Sequence, residues 1–305
     1  MNDLIPNGVW PTMITPFKDN GDIDYDSLEN LIEWYINSGV NGLFAVCQSS
    51  EMYELSLSER LQLAEFVVDK TNNRIPVIAT GNVSFSIDDQ IEEIKAMYST
   101  GVDAIVLLTN RLAKKDQSDD VIVESVNKIL DNTENIQFGL YECPLPYKRL
   151  FSPELLKWFA STERFRFLKD TSCDIELITN KIRAVEGTNL KVFNANAPTL
   201  LDSLKTGGDG YSGIMCNFHP DLYVKLYNDF LTNEVKSQKI QDFVGLASTI
   251  ERQMYPMNSK YYLTLEGVLN TYQCRNSNKE DFINAFKSEI EQMRNLTKSL
   301  NFSST

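Results

Sequence analysis

The chain has 305 residues, of which 42% are hydrophobic and 23% charged, and this composition excludes a disordered or collagen-like protein. Lys and Arg number 29 against 42 Asp and Glu, and such an acidic surface repels the phosphates of nucleic acids. No apolar stretch approaches the roughly 20 residues that a membrane helix needs, and the N-terminus does not have the pattern of a signal peptide. Five scattered cysteines without a CxxC pair favour a reduced, cytoplasmic setting.

Short, mostly apolar runs recur along the chain, each followed by a segment with helical periodicity. The eight runs are Val9–Thr15, Gly42–Val46, Pro76–Thr80, Ala104–Leu108, Gln137–Tyr141, Phe165–Lys169, Lys191–Asn194 and Gly210–Ile214. Runs of this kind are typical of parallel strands covered on both faces. We therefore predict an α/β fold, a closed (β/α)8 TIM barrel. The alternative, an open doubly wound sheet, would have a glycine-rich phosphate turn after its first strand, where this chain has Thr15-Pro16-Phe17.

Local signals predict where individual helices begin and end. Ser152-Pro153-Glu154 has the pattern of a helix start. A glycine at 39, 101 and 207 precedes a polar turn and an apolar run, which indicates three helix ends in the left-handed conformation. We assign residues 1–232 to the barrel and residues 233–305 to a helical extension packed on it. The extension's clearest apolar stripe is Phe282, Ala285, Phe286, Ile290 and Met293.

The active site of such a barrel is expected at the C-terminal ends of the strands. Candidate catalytic residues there are Lys169 and Tyr141, and candidate substrate-binding residues are Gln48, Ser49, Ser50, Arg111, Glu142, Ala195 and Ser212. The chain has one histidine, which argues against a histidine-based triad or metal site, and we predict no metal.

Lys169 is the strongest of these candidates. Period-two alternation predicts that Phe165, Phe167 and Lys169 share one face of a strand. A dry, aromatic setting would lower the pKa of the amine, and a free amine can attack a ketone to form an imine. The alternative is a lysine that simply emerges into solvent at a strand end.

The other candidates also have ordinary explanations. Tyr141 could carry protons to a substrate on Lys169, or be a core tyrosine. Ser49 and Ser50 could hold a carboxylate, or only bond to their own turn. Arg111 could reach a substrate anion, or be a solvated loop charge.

Five motifs in order carry a resemblance to a known family. They are Thr15-Pro16-Phe17, Cys47-Gln48-Ser49-Ser50-Glu51, Tyr141-Glu142-Cys143-Pro144, Phe167-Leu168-Lys169-Asp170-Thr171-Ser172 and Gly207-Gly208-Asp209-Gly210. With these motifs the chain resembles the dihydrodipicolinate synthase / N-acetylneuraminate lyase family of pyruvate-dependent class I aldolases, from Gly8 to the C-terminal helices. The resemblance implies that Lys169 forms the imine with pyruvate or another 2-keto acid, that Tyr141 shuttles protons, and that Ser49 helps to hold the carboxylate.

The sequence departs from the family at positions that select the substrate. Both glycines of the Gly-x-Thr-Gly-Glu motif are replaced, by Cys47 and Ser50. The arginine with which the synthases bind their second substrate would fall near Pro146, and a tyrosine pair of their proton relay would fall at Arg111-Leu112. The sialate lyases have acidic residues where this chain has Ala197-Pro198. Neither namesake substrate is therefore predicted.

We predict a lyase that catalyses reversible aldol cleavage or condensation between pyruvate and an aldehyde or 2-keto acid partner. No cofactor is expected beyond the covalent imine on Lys169, and the partner is a small keto acid rather than nucleic acid or membrane. The resemblance also implies a homotetramer or homodimer. Two alternatives remain: a sugar-acid dehydratase that uses the same imine, and a sensor that binds a keto acid without turnover.

Overall fold

A computed structural model, which describes residues 4–299, has eight parallel strands in one curled sheet with helices outside it. The strands are β1 (Gly8–Val9), β2 (Leu43–Val46), β3 (Val77–Thr80), β4 (Ala104–Leu108), β5 (Phe138–Tyr141), β6 (Phe165–Asp170), β7 (Lys191–Asn194) and β8 (Gly210–Tyr211). The helices are α1 (Tyr25–Asn37), α2 (Leu57–Thr71), α3 (Ile87–Tyr98), α4 (Thr109–Leu112), α5 (Asp119–Asp131), α6 (Pro153–Ser161), α7 (Ile175–Ala184), α8 (Leu200–Lys205), α9 (Pro220–Asp229), α10 (Glu234–Ala247), α11 (Met257–Leu265) and α12 (Asn284–Ser299). None of these helices is long and apolar enough to cross a membrane. The predicted TIM barrel is confirmed.

The barrel closes beside β1, where a proline interrupts the strand pairing. Strand β1 pairs with β8, and Pro11 follows, which has no N–H to donate to a sheet. Thr12 then pairs in parallel with Phe44 of β2. The predicted run Val9–Thr15 is therefore two short segments that pair with different neighbours, and together they close the barrel.

The predicted helix boundaries are confirmed by the backbone. At the start of α6, the Ser152 hydroxyl accepts a hydrogen bond from the Leu155 amide at 3.2 Å. Gly39, Gly101 and Gly207 have φ angles of 83°, 91° and 100°, in the left-handed region that glycine tolerates best. Each of these glycines turns the chain from a helix into the next strand, so the strands begin at the same end of the barrel.

Aromatic side chains fill the barrel below the ends of its strands. The Phe167 ring stacks on Phe193 at 4.7 Å and lies 5.7 Å from Trp10. Phe165 does not share this face, so that part of the alternation prediction is wrong. The β5–β6 register shifts between Phe165 and Phe167, and the Phe165 ring contacts Phe159 of α6 at 4.6 Å instead.

Residues 234–299 are largely helical, as predicted, and pack on the barrel. The Lys260 ammonium forms a buried ion pair with Glu51 at 2.5 Å, and Asn270 donates to the Ser27 hydroxyl at 3.0 Å. Helix α12 begins at residue 284, so Phe282 of the predicted stripe precedes the helix, although it is buried. The proposed division of the chain into two domains at 232 stays a prediction.

Candidate active site

A cavity of about 390 Å³ contains most of the predicted site. Five of the nine candidates line it: Gln48, Ser49, Tyr141, Lys169 and Ala195. The other residues in its wall are Glu51, Tyr53, Glu54, Pro144, Leu145, Lys148, Thr171, Cys173, Asn196, Ile214, Glu251, Tyr255, Pro256 and Asn276. The cavity therefore lies where the C-terminal ends of β2, β5, β6 and β7 meet loops from the rest of the chain.

Lys169 and Tyr141 lie side by side on adjacent strands. Their positions are paired in the β5–β6 register, and the Lys169 Nζ lies 4.6 Å from the centre of the Tyr141 ring. Burial lowers the pKa of Lys169, since a low-dielectric setting disfavours the charged form. The same burial raises the pKa of Tyr141 well above its usual value. The site thus favours a neutral amine beside a neutral phenol.

The turn after β2 gives its two serines different roles. The Ser50 hydroxyl donates to the Cys47 carbonyl at 2.6 Å and accepts from the Cys47 amide at 2.9 Å. Ser50 therefore holds its own turn and is not among the residues that line the cavity. Ser49 does line it, and its hydroxyl donates to the Thr12 hydroxyl at 3.2 Å. One serine of the pair is available to a ligand.

The loop after β5 places a cation in the cavity wall, and this cation was not among the residues predicted from the sequence motifs. Lys148 is exposed, lines the cavity and donates from Nζ to the Thr171 carbonyl at 2.6 Å. It lies two residues beyond Pro146, near which the resemblance predicts the position of the synthases' arginine. The same loop contacts the β2 turn, since the Cys143 thiol donates to the Gln48 side chain at 3.3 Å.

Glu142 lies beneath the cavity wall rather than in it. Its carboxylate accepts from the Lys181 ammonium at 2.5 Å, and that ammonium also contacts Asp170 at 2.5 Å. The amides of Phe151 and Thr171 donate to the same carboxylate at 2.8 and 3.0 Å. Burial raises the pKa of Glu142 to about 7, and the charge of Lys181 opposes this shift. With its oxygens fully engaged, Glu142 fixes the loop after β5.

Arg111 and Ser212 also lie outside the cavity lining. The Arg111 guanidinium lies 4.2 Å from the ring centre of Phe85 and 5.3 Å from that of Tyr53. Tyr53 itself lines the cavity, so Arg111 contacts a lining residue without lining the cavity itself. The Ser212 hydroxyl is buried and has no hydrogen-bond partner within residues 4–299, while its amide donates to the Asn194 carbonyl at 2.8 Å.

The C-terminal region supplies further residues that reasoning from strand ends could not find. Glu251 lies in a 3-10 turn at Ser248–Arg252, between α10 and α11, and Tyr255 follows it. Both line the cavity. The Tyr255 hydroxyl accepts from the Asn217 side chain at 3.0 Å. Neither residue follows a strand, so its position could be found only from how the C-terminal helices pack.

The lone histidine takes no part in the cavity wall. His219 is buried, and burial lowers its pKa to about 4, so its imidazole is neutral near pH 7. In the described part of the chain, no group of three His, Cys, Asp or Glu side chains is arranged to hold a metal ion.

Sequence comparisons agree on one family. The profile of the dihydrodipicolinate synthetase family matches residues 5–292. A 4-hydroxy-tetrahydrodipicolinate synthase from Oceanobacillus iheyensis is 32% identical over 202 residues, which cover 66% of this chain and 67% of that protein. One of the same name from Methanococcus aeolicus is 28% identical over 236 residues, covering 77% and 78%.

Solved structures show the same fold. A chloride-inhibited dihydrodipicolinate synthase from Acinetobacter baumannii complexed with pyruvate has a TM-score of 0.85 at 22% identity, covering 95% of this chain and 97% of that one. A prophage protein of the dihydrodipicolinic acid synthase family from E. coli K12, in complex with pyruvate, has a TM-score of 0.86 at 22% identity, covering 97% and 99%. Because the family profile spans nearly the whole chain, this protein belongs to the dihydrodipicolinate synthetase family and is a carbon–carbon lyase of the class I aldolase type.

Proposed function

We propose that the protein cleaves a 4-hydroxy-2-keto acid reversibly into pyruvate and an aldehyde, through an imine on Lys169. The Lys169 amine attacks the keto carbon, and loss of water gives an iminium that acts as an electron sink. Tyr141 relays the proton of the 4-hydroxyl, taking it up as its own phenolic proton leaves, while the bond between C3 and C4 breaks and the aldehyde departs. Protonation of the remaining enamine and hydrolysis of the imine then release pyruvate. None of these reaction steps uses a metal or an organic cofactor.

The observation that carries the proposal is the placement of Lys169. Its amine is buried, lines the cavity and lies 4.6 Å above the ring of Tyr141. A lysine that simply emerged into solvent would be exposed, whereas 3% of Lys169 is accessible. A lowered pKa leaves more of the amine free to act as a nucleophile near neutral pH.

The substrate carboxylate is proposed to bind at the turn after β2. Ser49 lines the cavity there and presents a hydroxyl beside Thr12, and hydroxyls and turn amides suit a carboxylate. The variable end of the substrate would meet Lys148, Asn196 and Glu251 in the cavity wall. The synthases bind the carboxylate of their second substrate with an arginine, whereas this wall combines a cation, an amide and a carboxyl group. The difference supports an aldehyde other than the partner of the synthases.

Borohydride trapping tests the imine directly. Pyruvate and borohydride should add one reduced pyruvyl group to the wild type, and peptide mapping should place it on Lys169. Lys169→Ala should abolish the adduct and leave the fold intact, as checked by circular dichroism. Lys148→Ala is the matched control, because it removes the other lysine of the cavity and should keep the adduct.

Product analysis then separates the predicted reactions. Release of pyruvate and an aldehyde from a 4-hydroxy-2-keto acid supports the aldolase. A dehydratase would release water and no aldehyde, and a sensor would bind keto acids without turnover. A folded protein that forms no adduct, or an adduct placed on Lys148, contradicts the proposed mechanism.

A homotetramer or homodimer in the cytoplasm remains our expectation for the assembly. One structural relative, with a TM-score of 0.86 at 19% identity and coverage of 97% of this chain and 99% of that one, is described as a monomeric dihydrodipicolinate synthase variant. Light scattering after size-exclusion chromatography would measure the mass directly, against 34.8 kDa for one chain.

A further inference from the structure

Glu251 is a carboxyl group in the cavity with no partner of its own. It lines the same cavity as Lys169 and Tyr141 and is partly buried. The other carboxylate buried in this wall, Glu51, is fully engaged by Lys260 and by the amides of residues 275 and 276. Within residues 4–299, Glu251 forms no such hydrogen bond or ion pair, so its oxygens are available to a ligand.

Glu251 and Lys169 influence each other across the cavity without forming an ion pair. Burial lowers the pKa of Lys169, and the charges that oppose this shift come from three cysteines and Glu251. Burial raises the pKa of those cysteines, at 47, 143 and 216, so they are uncharged thiols near neutral pH. Glu251 is then the carboxylate whose charge acts on the reactive amine, and both groups line the same cavity.

Tyr141 is poorly suited to exchange protons alone at neutral pH. Its pKa lies well above its usual value because of burial. Burial raises the pKa of Glu251 to about 7, and the charge of Lys169 opposes that shift. An acid–base group works best when its pKa lies near the operating pH.

We propose that Glu251 is an additional acid–base catalytic residue of the imine chemistry at Lys169. The inference rests on the proposed function. As a carboxylate, Glu251 accepts a proton from the Lys169 ammonium, directly or through one water, and the neutral amine attacks the keto carbon. A proton passes from nitrogen to oxygen to give the carbinolamine. Glu251 then returns its proton to that hydroxyl, the C–O bond breaks, and water leaves the iminium behind.

The surroundings of Glu251 leave it as the carboxyl that titrates near neutral pH at this end of the cavity. The charge of Glu251 acts on the pKa values of five other titratable groups, which are Lys169, Cys173, Tyr211, Tyr223 and Tyr255. The pKa values of the tyrosines and the cysteine are raised, chiefly by burial, so these groups stay neutral near pH 7. Arg252, on the same turn, carries a positive charge that lowers the pKa of Glu251.

Exchange of the pyruvate methyl hydrogens for deuterium tests the proposal without the aldehyde. Exchange requires the imine and its enamine, and it is followed by NMR in D2O. Glu251→Gln should slow exchange roughly 10²–10⁴-fold, the usual contribution of general acid–base catalysis, and remove the loss of rate that we expect of the wild type as pH falls below about 7. Glu251→Asp should keep that acid limb. Glu54→Gln removes an exposed carboxylate from the cavity rim and should exchange like the wild type.

The outcomes separate this inference from the proposed function. If the wild type forms the Lys169 adduct and Glu251→Gln exchanges at the wild-type rate with the wild-type pH profile, the role of Glu251 is contradicted and the imine function stands. If Glu251→Gln is slow but keeps the acid limb, Glu251 only shapes the cavity. If the wild type forms no adduct at all, both proposals fail together.

Discussion

Burial makes the amine and the phenol of the site compatible neighbours. It lowers the pKa of Lys169 and raises that of Tyr141, so both side chains are favoured in the neutral form, which is the form that burial penalises least. The Tyr141 ring also packs at 5.9 Å against Phe44. A substitution that keeps the ring and removes only the hydroxyl can therefore separate the contribution of packing from that of the hydroxyl.

Tyr141→Phe should slow turnover far more than it weakens pyruvate binding. The ring would still support Lys169, but no hydroxyl would remain to move the proton, a loss of roughly 10²–10⁴-fold in general acid–base catalysis. Steady-state rates and the pyruvate concentration for half-maximal borohydride trapping measure the two effects. Equal losses in rate and binding would instead indicate that the tyrosine only fills space.

At this scale the sequence predicts residues that follow strands and misses those that do not. Lys169, Tyr141 and Ser49 lie at or just beyond the C-terminal ends of strands, and all three line the cavity. Glu142 follows a strand too, but alternation turns it away from Tyr141 towards Lys181. The role of Glu142 depends on a lysine 39 residues away, which no local pattern reveals.

The β5–β6 pair is held at its functional end by a buried cluster of three charges. Lys181 of α7 contacts Glu142 and Asp170, which follow or end the two strands. Although burial acts to lower the pKa of Lys181, the two carboxylates outweigh it and raise that pKa. One helix thus fixes the strand ends that carry Tyr141 and Lys169.

Lys181→Met should destabilise the protein by about 3–5 kcal/mol, the usual cost of breaking a buried ion pair on one side. The deficit relative to the wild type should be larger at pH 8 than at pH 5.5. The pKa of Glu142 is already raised to about 7 by burial, and losing the Lys181 charge raises it further. The folded variant therefore binds a proton that the unfolded chain has released, so its stability falls as pH rises above the unfolded pKa.

Urea unfolding at the two pH values measures this difference. Lys205→Met is a suitable control, because Lys205 pairs with Glu234 at an exposed site, where ion pairs contribute little. A deficit that is equal at both pH values would contradict the assignment of proton uptake to Glu142.

The strands and helices themselves were predictable from the sequence, but the register shift beside Phe165 was not, because no residue type marks it.

Over the whole molecule, the cavity is shared between the barrel and the C-terminal region. Glu51, in the turn after β2, accepts from Lys260 and from the amides of Arg275 and Asn276 at 2.7 and 3.0 Å. Arg275 also pairs with Glu59 of α2 at 2.6 Å. The predicted barrel and helical extension are confirmed in outline, but no pattern in the sequence indicated that the extension completes the cavity wall.

Glu51→Gln should lower stability by about 3–5 kcal/mol, because the buried Lys260 ammonium would lose its charged partner. It should also slow pyruvate exchange, since Glu251 and Tyr255 belong to the region that this pair secures. Urea unfolding and the deuterium exchange assay measure the two effects, with Glu54→Gln as the reference. Loss of stability without any change in exchange would show that the pair holds the C-terminal region without placing its cavity residues.

The attachment at Glu51 also sets the order in which the site can be completed during synthesis. Domains are made from the N-terminus and generally fold as units, and all eight strands of this chain precede residue 212. A nascent chain at that stage holds both Lys169 and Tyr141 but neither Glu251 nor the lysine that pairs with Glu51. Until residues 251–276 have left the ribosome, a buried carboxylate and a reactive amine remain without their final surroundings, which makes the late nascent chain the species that most needs protection.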